Sequence, residues 1–209
     1  MVQIAPSMLA ADFLHLEKDV ELVNKHADIF HLDIMDGTFV PNISYGFPIV
    51  EAIAKIATKP LDAHLMIVHP EKYVDRFAKV GVQMLSFHLN AVDNAGQVLA
   101  QIRAAGMSPG LAINPDIPVE KLFPYLDQCD YVVLMSVFAG FGGQKFIEAT
   151  YNRVETLKAE IERQGVECLI QVDGGVSARL AELGADILVA GSAVFKAEDP
   201  QAVIAEMKA

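Results

Sequence analysis

Residues 30–36 read Phe30-His31-Leu32-Asp33-Ile34-Met35-Asp36. Side chains alternate across a strand, so His31, Asp33 and Met35 share one face while Leu32 and Ile34 share the other. One face is wholly apolar and belongs against a core. The other carries an imidazole and a carboxylate two residues apart, at the C-terminal end of the run. A lone histidine in a strand is ordinarily a hydrogen-bonded core residue. Burying His31 beside Asp33 is costly unless something holds them.

Short apolar runs of the same kind recur along the chain, at 2–5, 29–34, 61–66, 84–88, 110–113, 131–135, 169–172 and 187–190. Each has the length and composition of a strand buried on both faces. The intervening segments carry helical spacing: Leu16, Val20 and Val23; Ile49, Ile53 and Ile56; Tyr73, Phe77 and Val80; Val98 and Ile102; Ile147, Tyr151, Val154 and Ile161; Val203, Ile204 and Met207. Gly81, Gly106, Gly165 and Gly184 follow helical segments, where a left-handed cap precedes the next strand. No linker or low-complexity tract interrupts the alternation, so residues 1–209 are expected to form one domain. Alternation alone also fits an open doubly wound sheet. The polar residues gather at strand ends, however, and a closed (β/α)8 TIM barrel brings all eight such ends to one face.

The composition narrows the chemistry. Hydrophobic residues make up 53% of the 209 residues, which is incompatible with disorder. There is no apolar run long enough for a bilayer span and no signal-like N-terminus. A net charge of −11, from 27 acidic and 16 basic residues without a basic cluster, argues against nucleic acid as a partner. An anionic substrate would have to be held locally, by backbone N–H groups. Cys129 and Cys168 form no motif and read as reduced thiols of a cytoplasmic protein.

Other strand ends repeat the chemistry of the first. Asp62-Ala63-His64-Leu65-Met66 places His64 and Met66 on a shared face, and Gln171-Val172-Asp173-Gly174-Gly175 sets an acid at the end of the seventh strand. A barrel would converge His31, Asp33, His64 and Asp173, a donor set suited to Zn2+, Fe2+ or Mn2+. A metal beside two carboxylates suits proton transfer next to a carbonyl, with Asp33 and Asp173 on opposite sides of one carbon. Met35, Met66 and Met135 stand at strand ends, where thioethers make a water-poor wall. Gly140-Phe141-Gly142-Gly143-Gln144, Gly174-Gly175 and Gly191-Ser192 follow the last three strands, where barrels often bind phosphate.

With these residues in place, the sequence resembles the ribulose-phosphate 3-epimerase family almost end to end. The marks are Ala5-Pro6-Ser7-Met8-Leu9, His31-Leu32-Asp33-Ile34-Met35-Asp36-Gly37, Phe39-Val40-Pro41-Asn42 and His64-Leu65-Met66. Met135-Ser136-Val137, Gly140-Phe141-Gly142-Gly143-Gln144, Val172-Asp173-Gly174-Gly175 and Gly191-Ser192-Ala193-Val194-Phe195 complete them. The resemblance implies a ribulose-phosphate-binding barrel that interconverts D-ribulose 5-phosphate and D-xylulose 5-phosphate. It implies one divalent ion on His31, Asp33, His64 and Asp173, with Asp33 and Asp173 as the acid/base pair. Ser7 and His64 would contact substrate, Met35, Met66 and Met135 would cap the intermediate, and Gly142, Gly143, Gly174, Gly175, Gly191 and Ser192 would hold the phosphate. It also implies a homo-oligomer.

Three departures stand out. Phe138-Ala139 replaces the family's usual Asn-Pro, which changes the loop before the glycines. Asn90 replaces a usual Glu. Only residues 177–183 separate Gly175-Val176 from Gly184-Ala185-Asp186. Seven helical residues rise about 10 Å, whereas a five-residue strand spans roughly 16 Å. The seventh helix is therefore stunted, or part of the sequence is missing. Competing readings are a ketohexose 6-phosphate 3-epimerase, a barrel of reduced activity, and a barrel that only binds phosphate ligands. A decarboxylase or aldolase is disfavoured because no Lys stands at a strand end.

Overall fold

Strands form where the apolar runs fall: β1 (Gln3–Pro6), β2 (Phe30–Met35), β3 (Leu61–Met66), β4 (Met84–His88), β5 (Ser108–Ile113), β6 (Tyr131–Met135), β7 (Leu169–Asp173) and β8 (Ile187–Ala190). The computed structural model describes residues 2–209. All pairings are parallel, in the order β1-β8-β7-β6-β5-β4-β3-β2. A parallel bridge between Ser7 and His31, with Asp28 N–H donating to the Ile4 carbonyl at 3.0 Å, joins β1 to β2 and completes the ring. The result is a TIM barrel.

The helices are α1 (Leu16–His26), α2 (Phe47–Ala54), α3 (Val74–Val80), α4 (Ala95–Ala104), α5 (Ala149–Gln164), α6 (Arg179–Glu182), α7 (Ser192–Phe195) and α8 (Pro200–Lys208). Each long helix buries a stripe, such as Val20 and Val23 of α1 or Val154, Leu157 and Ile161 of α5. The expected stripes miss at their ends. Ile56 lies beyond α2 and Tyr73 precedes α3, both exposed, while Val50 and Val74 take the buried places. Between β5 and β6 the chain forms 3-10 turns at Val119–Lys121 and Phe123–Tyr125 instead of a helix. Pro118 and Pro124 deny that segment the amides and the φ/ψ freedom a longer helix needs. The seventh helix is indeed stunted, four residues long. Leu180 is fully buried, and Asp186 N–H still reaches the Ile170 carbonyl at 2.8 Å, so the short return closes against β7.

Strand alternation sorts the apolar residues into two shells. Leu32, Leu65, Phe87, Leu134, Val172 and Leu188 point outward and pack under the helices. Ala5, Ile29, Ile187 and Val189 fill one part of the barrel interior, and Ala112, Tyr131, Val133 and Met135 another. Tyr131 is the largest of the fully buried side chains and fits only because β5 offers Gly110 opposite it. A Cβ at Gly110 would overlap the Tyr131 ring. Gly110→Ala is expected to destabilise the fold by about 1–3 kcal/mol through overpacking, read as a lowered urea midpoint with an unchanged m value.

Candidate active site

The inward faces of β2, β3 and β7 meet at the C-terminal end of the barrel. His31 Nε2 lies 3.4 Å from Asp33 Oδ1 and 3.8 Å from Asp173 Oδ2, and His64 Nδ1 lies 3.6 and 3.7 Å from the same two oxygens. The four ligand atoms all fall within 4.8 Å of one another. His31, Asp33 and His64 are buried, and Asp173 is half-buried at the cavity floor. His31 Nε2 and His64 Nδ1 are buried without a hydrogen-bond partner. An orphaned imidazole nitrogen is costly unless something takes its lone pair. Bonds of about 2 Å to a common ion put tetrahedral ligand atoms roughly 3.3 Å apart, close to these separations. The residues therefore fit a divalent metal.

The electrostatics agree. Burial pushes the Asp33 carboxyl up, but the His31 and His64 imidazoles outweigh it and hold the group far below the usual carboxylate range. Burial depresses His31, yet the Asp33 and Asp62 carboxylates raise it well above its ordinary value. His64 is raised too: Asp173 and Asp33 overcome its burial. Carboxylates that raise both neighbouring imidazoles make this a place that favours positive charge, whether a proton or a metal ion.

Above the cluster opens a cavity of about 610 Å³, lined by Ser7, Met35, Met66, Met135, Gly142, Gly143, Gly174, Gly175, Gly191 and Ser192, with Asp33 and Asp173 at its floor. His31 and His64 lie just beneath. The candidate metal, acid/base and substrate-binding residues named from the sequence are thus all at this one place. Met35, Met66 and Met135 are the last residues of β2, β3 and β6. Ser7 donates its hydroxyl to Asp33 Oδ2 at 2.5 Å. The N–H groups of Gly142, Gly143, Gly174, Gly175, Gly191 and Ser192 donate to no backbone carbonyl among the described residues, which leaves them available to an anion. Gly174 has φ +107°, and a Cβ there would strike Val137.

Several residues of the site escaped the sequence reading. Ser136 ties β6 to β7: its N–H donates to the Asp173 carbonyl at 2.8 Å and its hydroxyl to the carbonyls of Asp173 and Gly174. Asp62, fully buried, accepts from His31 Nδ1, Tyr131 Oη and Gln171 Nε2. His88 meets His64, Nε2 to Nε2, at 2.9 Å. Burial, reinforced by the His64 charge, pushes His88 well below its ordinary value. Period two held the signal for Asp62 and Gln171, which share faces with His64 and Asp173.

The departures from the family pattern have local answers. Ala139, where proline is usual, donates its N–H to Asn114 Oδ1 at 3.0 Å, a bond proline cannot make. Gln144 Nε2 closes the loop on the carbonyls of Phe138 and Phe141, at 2.6 and 2.7 Å. Phe138 is 49% exposed and lines the cavity mouth. Asn90 is exposed and lines a separate, shallower pocket of about 380 Å³.

A parallel barrel with an acid–imidazole cluster under a cavity at its C-terminal strand ends defines a barrel enzyme with a candidate metal centre. Solved structures agree on the fold. A mutant tryptophan synthase alpha-subunit from Pyrococcus furiosus superposes with a TM-score of 0.73 at 16% identity, covering 99% of this chain and 97% of its own. KGPDC from Streptococcus mutans does so at 0.73 and 14% identity, covering 99% and 95%. Sequence comparison is more specific. The model of the ribulose-phosphate 3-epimerase family matches residues 3–195. The ribulose-phosphate 3-epimerase of Bacillus subtilis is 42% identical, covering all of this chain and 99% of its own length. That of Synechocystis is 42% identical over 99% and 93%, and that of Aquifex aeolicus 39% identical over 100% and 96%. The chain belongs to the ribulose-phosphate 3-epimerase family, a family of isomerases.

Asp36, just past β2, organises the rim. Its Oδ1 accepts from the N–H groups of Thr38 and Phe39, and its Oδ2 from Val68 on the neighbouring loop, each at 2.8 Å. Burial raises this carboxyl, but the backbone donors outweigh it and the net shift is downward. A depressed folded pKa contributes stability that is present above the unfolded value and lost as pH falls through the folded one. Asp36→Asn should therefore be less stable than wild type at pH 7, with the gap in denaturant midpoint shrinking steadily below about pH 4.

Proposed function

We propose that this barrel interconverts D-ribulose 5-phosphate and D-xylulose 5-phosphate by removing and returning the C3 proton. The observation that carries the reading is the pair of unpartnered imidazole nitrogens set between Asp33 and Asp173 at the floor of the cavity. One divalent ion, Zn2+, Fe2+ or Mn2+, is held by His31, Asp33, His64 and Asp173, and when bound supplies positive charge next to the substrate oxygens. Asp33 and Asp173 come from strands well separated around the ring, so their carboxylates approach one carbon from different sides. One takes the C3 proton from one face, and the other, already protonated, delivers its own solvent-derived proton to the opposite face of the planar enediolate, after which the first proton passes to solvent.

The remaining roles follow from position. Ser7, bonded to Asp33, orients that carboxylate and contacts substrate beside it, with His64 beneath. Met35, Met66 and Met135 cover the intermediate with polarizable, water-poor surface. The free N–H groups of Gly142, Gly143, Gly174, Gly175, Gly191 and Ser192 hold the phosphate without a basic patch, as a chain of net charge −11 requires. The whole chain acts as one barrel domain. Exposed apolar residues on the rim, Phe13, Leu14 and Ile43, support a homo-oligomer. Two buried free thiols, Cys168 pushed up to about 12 by burial, support a cytoplasmic setting.

Incubation of metal-loaded protein with ribulose 5-phosphate in D2O should yield xylulose 5-phosphate carrying deuterium at C3, followed by NMR. Asp33→Asn and Asp173→Asn should each lose about 10²–10⁴-fold in exchange rate. Chelation should abolish turnover, and added Zn2+, Fe2+ or Mn2+ should restore it. Exchange with a ketohexose 6-phosphate and none with the pentose would replace the substrate while keeping the mechanism.

A further inference from the structure

We infer that Asp62 is a positioning residue for the metal centre, locking His31 so that Nε2 faces the ion. The inference rests on the metal-site reading above and goes beyond it, because Asp62 touches neither the cavity nor the four ligand atoms. Its carboxyl group lies within the barrel, fully buried, and receives side chains from three other strands. Tyr131 Oη of β6 donates to Oδ1 at 2.7 Å. Gln171 Nε2 of β7 donates to Oδ2 at 2.9 Å. His31 Nδ1 of β2 lies 2.7 Å from the same Oδ2.

Chemistry decides the direction of that last bond. An ionised carboxylate only accepts, so the hydrogen in that bond is on His31 Nδ1, and the neutral ring then carries its lone pair on Nε2. Nε2 is the atom that lies 3.4 Å from Asp33 Oδ1 and has no hydrogen-bond partner. Gln171 Nε2 lies 3.3 Å from His31 Nδ1: two donors converge on one oxygen, which also fixes which way the Gln171 amide turns. Its Oε1 is left buried and unpartnered, a cost the structure bears to keep the amide nitrogen on the carboxylate. Tyr131 is held in turn by the gap at Gly110. A chain of contacts from β5 through β6 and β3 to β2 therefore sets the orientation of one ring. A carboxylate behind a ligating imidazole also raises its basicity, and losing such a partner typically weakens a metal site about 10–100-fold. His64 has only the neutral His88 behind it, so the two imidazoles are supported unequally.

The test compares wild type, Asp62→Asn and Tyr131→Phe, stripped of metal and titrated with Co2+. The readouts are the visible ligand-field spectrum and the ring-nitrogen shifts of 15N-histidine-labelled protein. At a pH alkaline enough to leave the ring neutral, wild type should show His31 protonated at Nδ1 and bare at Nε2 before Co2+ is added. Asp62→Asn should bind Co2+ about 10–100-fold more weakly and lose that single tautomer. Tyr131→Phe keeps the ring in the core and removes one bond to Asp62, so it should weaken binding by a few-fold and keeps the inference testable if Asp62→Asn does not fold. A variant that is merely less stable, with wild-type Co2+ affinity and the same His31 tautomer, would overturn the positioning role. Failure of wild type itself to bind Co2+ would instead overturn the metal-site reading, so the two failures are distinct.

Discussion

Two carboxylates and two imidazoles are taken out of water within 4.8 Å of one another, and the rest of the barrel is arranged around that cost. Desolvating an ion costs several kcal/mol even after relaxation, and like charges add to it. The remedy is layered. Each carboxylate faces an imidazole, Asp33 also accepts from Ser7, and Ser136 fixes the backbone at Asp173. Deeper in the barrel, Asp62 supports His31 and is itself saturated by Tyr131 and Gln171. The interior is consequently graded. Ile29, Ile187 and Val189 form an apolar part, Asp62 with its three donors a satisfied polar one, and the C-terminal end keeps unsatisfied nitrogens for a ligand.

Strand identity was legible because parallel barrel strands are short, apolar and separated by glycine-capped helices. The predicted β3, β4, β6 and β8 match the structure residue for residue, β1 and β2 are shifted by one residue, and β5 and β7 differ by two and one positions at one end. Legibility fell where local chemistry overrode period. Two prolines convert the β5–β6 connection to 3-10 turns, and at α3 the spacing selected Tyr73 where Val74 is the buried neighbour of Phe77. The acid–imidazole cluster was legible because His31, Asp33, His64 and Asp173 are residues expensive to bury within otherwise apolar strands. Asp62 and Gln171 were not, since one strand shows neither its neighbour's register nor which polar side chains meet across the barrel. Ser136 was hidden for the same reason: its partners are the Asp173 and Gly174 carbonyls, and a sequence does not display carbonyls.

The family departures show how a loop keeps its form with different residues. Proline restricts φ and offers no N–H; Ala139 restricts nothing but donates to Asn114. One constraint acts through backbone entropy and the other through a hydrogen bond, and both hold the turn before Gly140. Asn42 adds a second tie, donating to the Gly140 carbonyl at 2.8 Å, and so links the β2 loop to the β6 loop. Phe138 and Phe141 remain on the rim, 49% and 52% exposed. Exposed aromatics at a cavity mouth lose little by moving over an occupant and gain burial when they do.

Under the proposed function, the same economy explains how an acidic protein would hold a phosphate ester. A lysine cluster near the cavity floor would lie close to Asp33 and Asp173 and compete with a cation for them. Backbone N–H groups add no formal charge, act only at short range, and are aimed by the chain itself. That solution demands glycine where the backbone must turn and come close, as at Gly174, where φ is +107° and Val137 leaves no room for a Cβ. Metal-binding charge and anion-binding dipoles can then share one cavity without neutralising each other. The carboxylates occupy the floor and the uncharged amides occupy the rim, which is the arrangement the proposed function needs for a substrate with a phosphate at one end and a reactive carbon at the other.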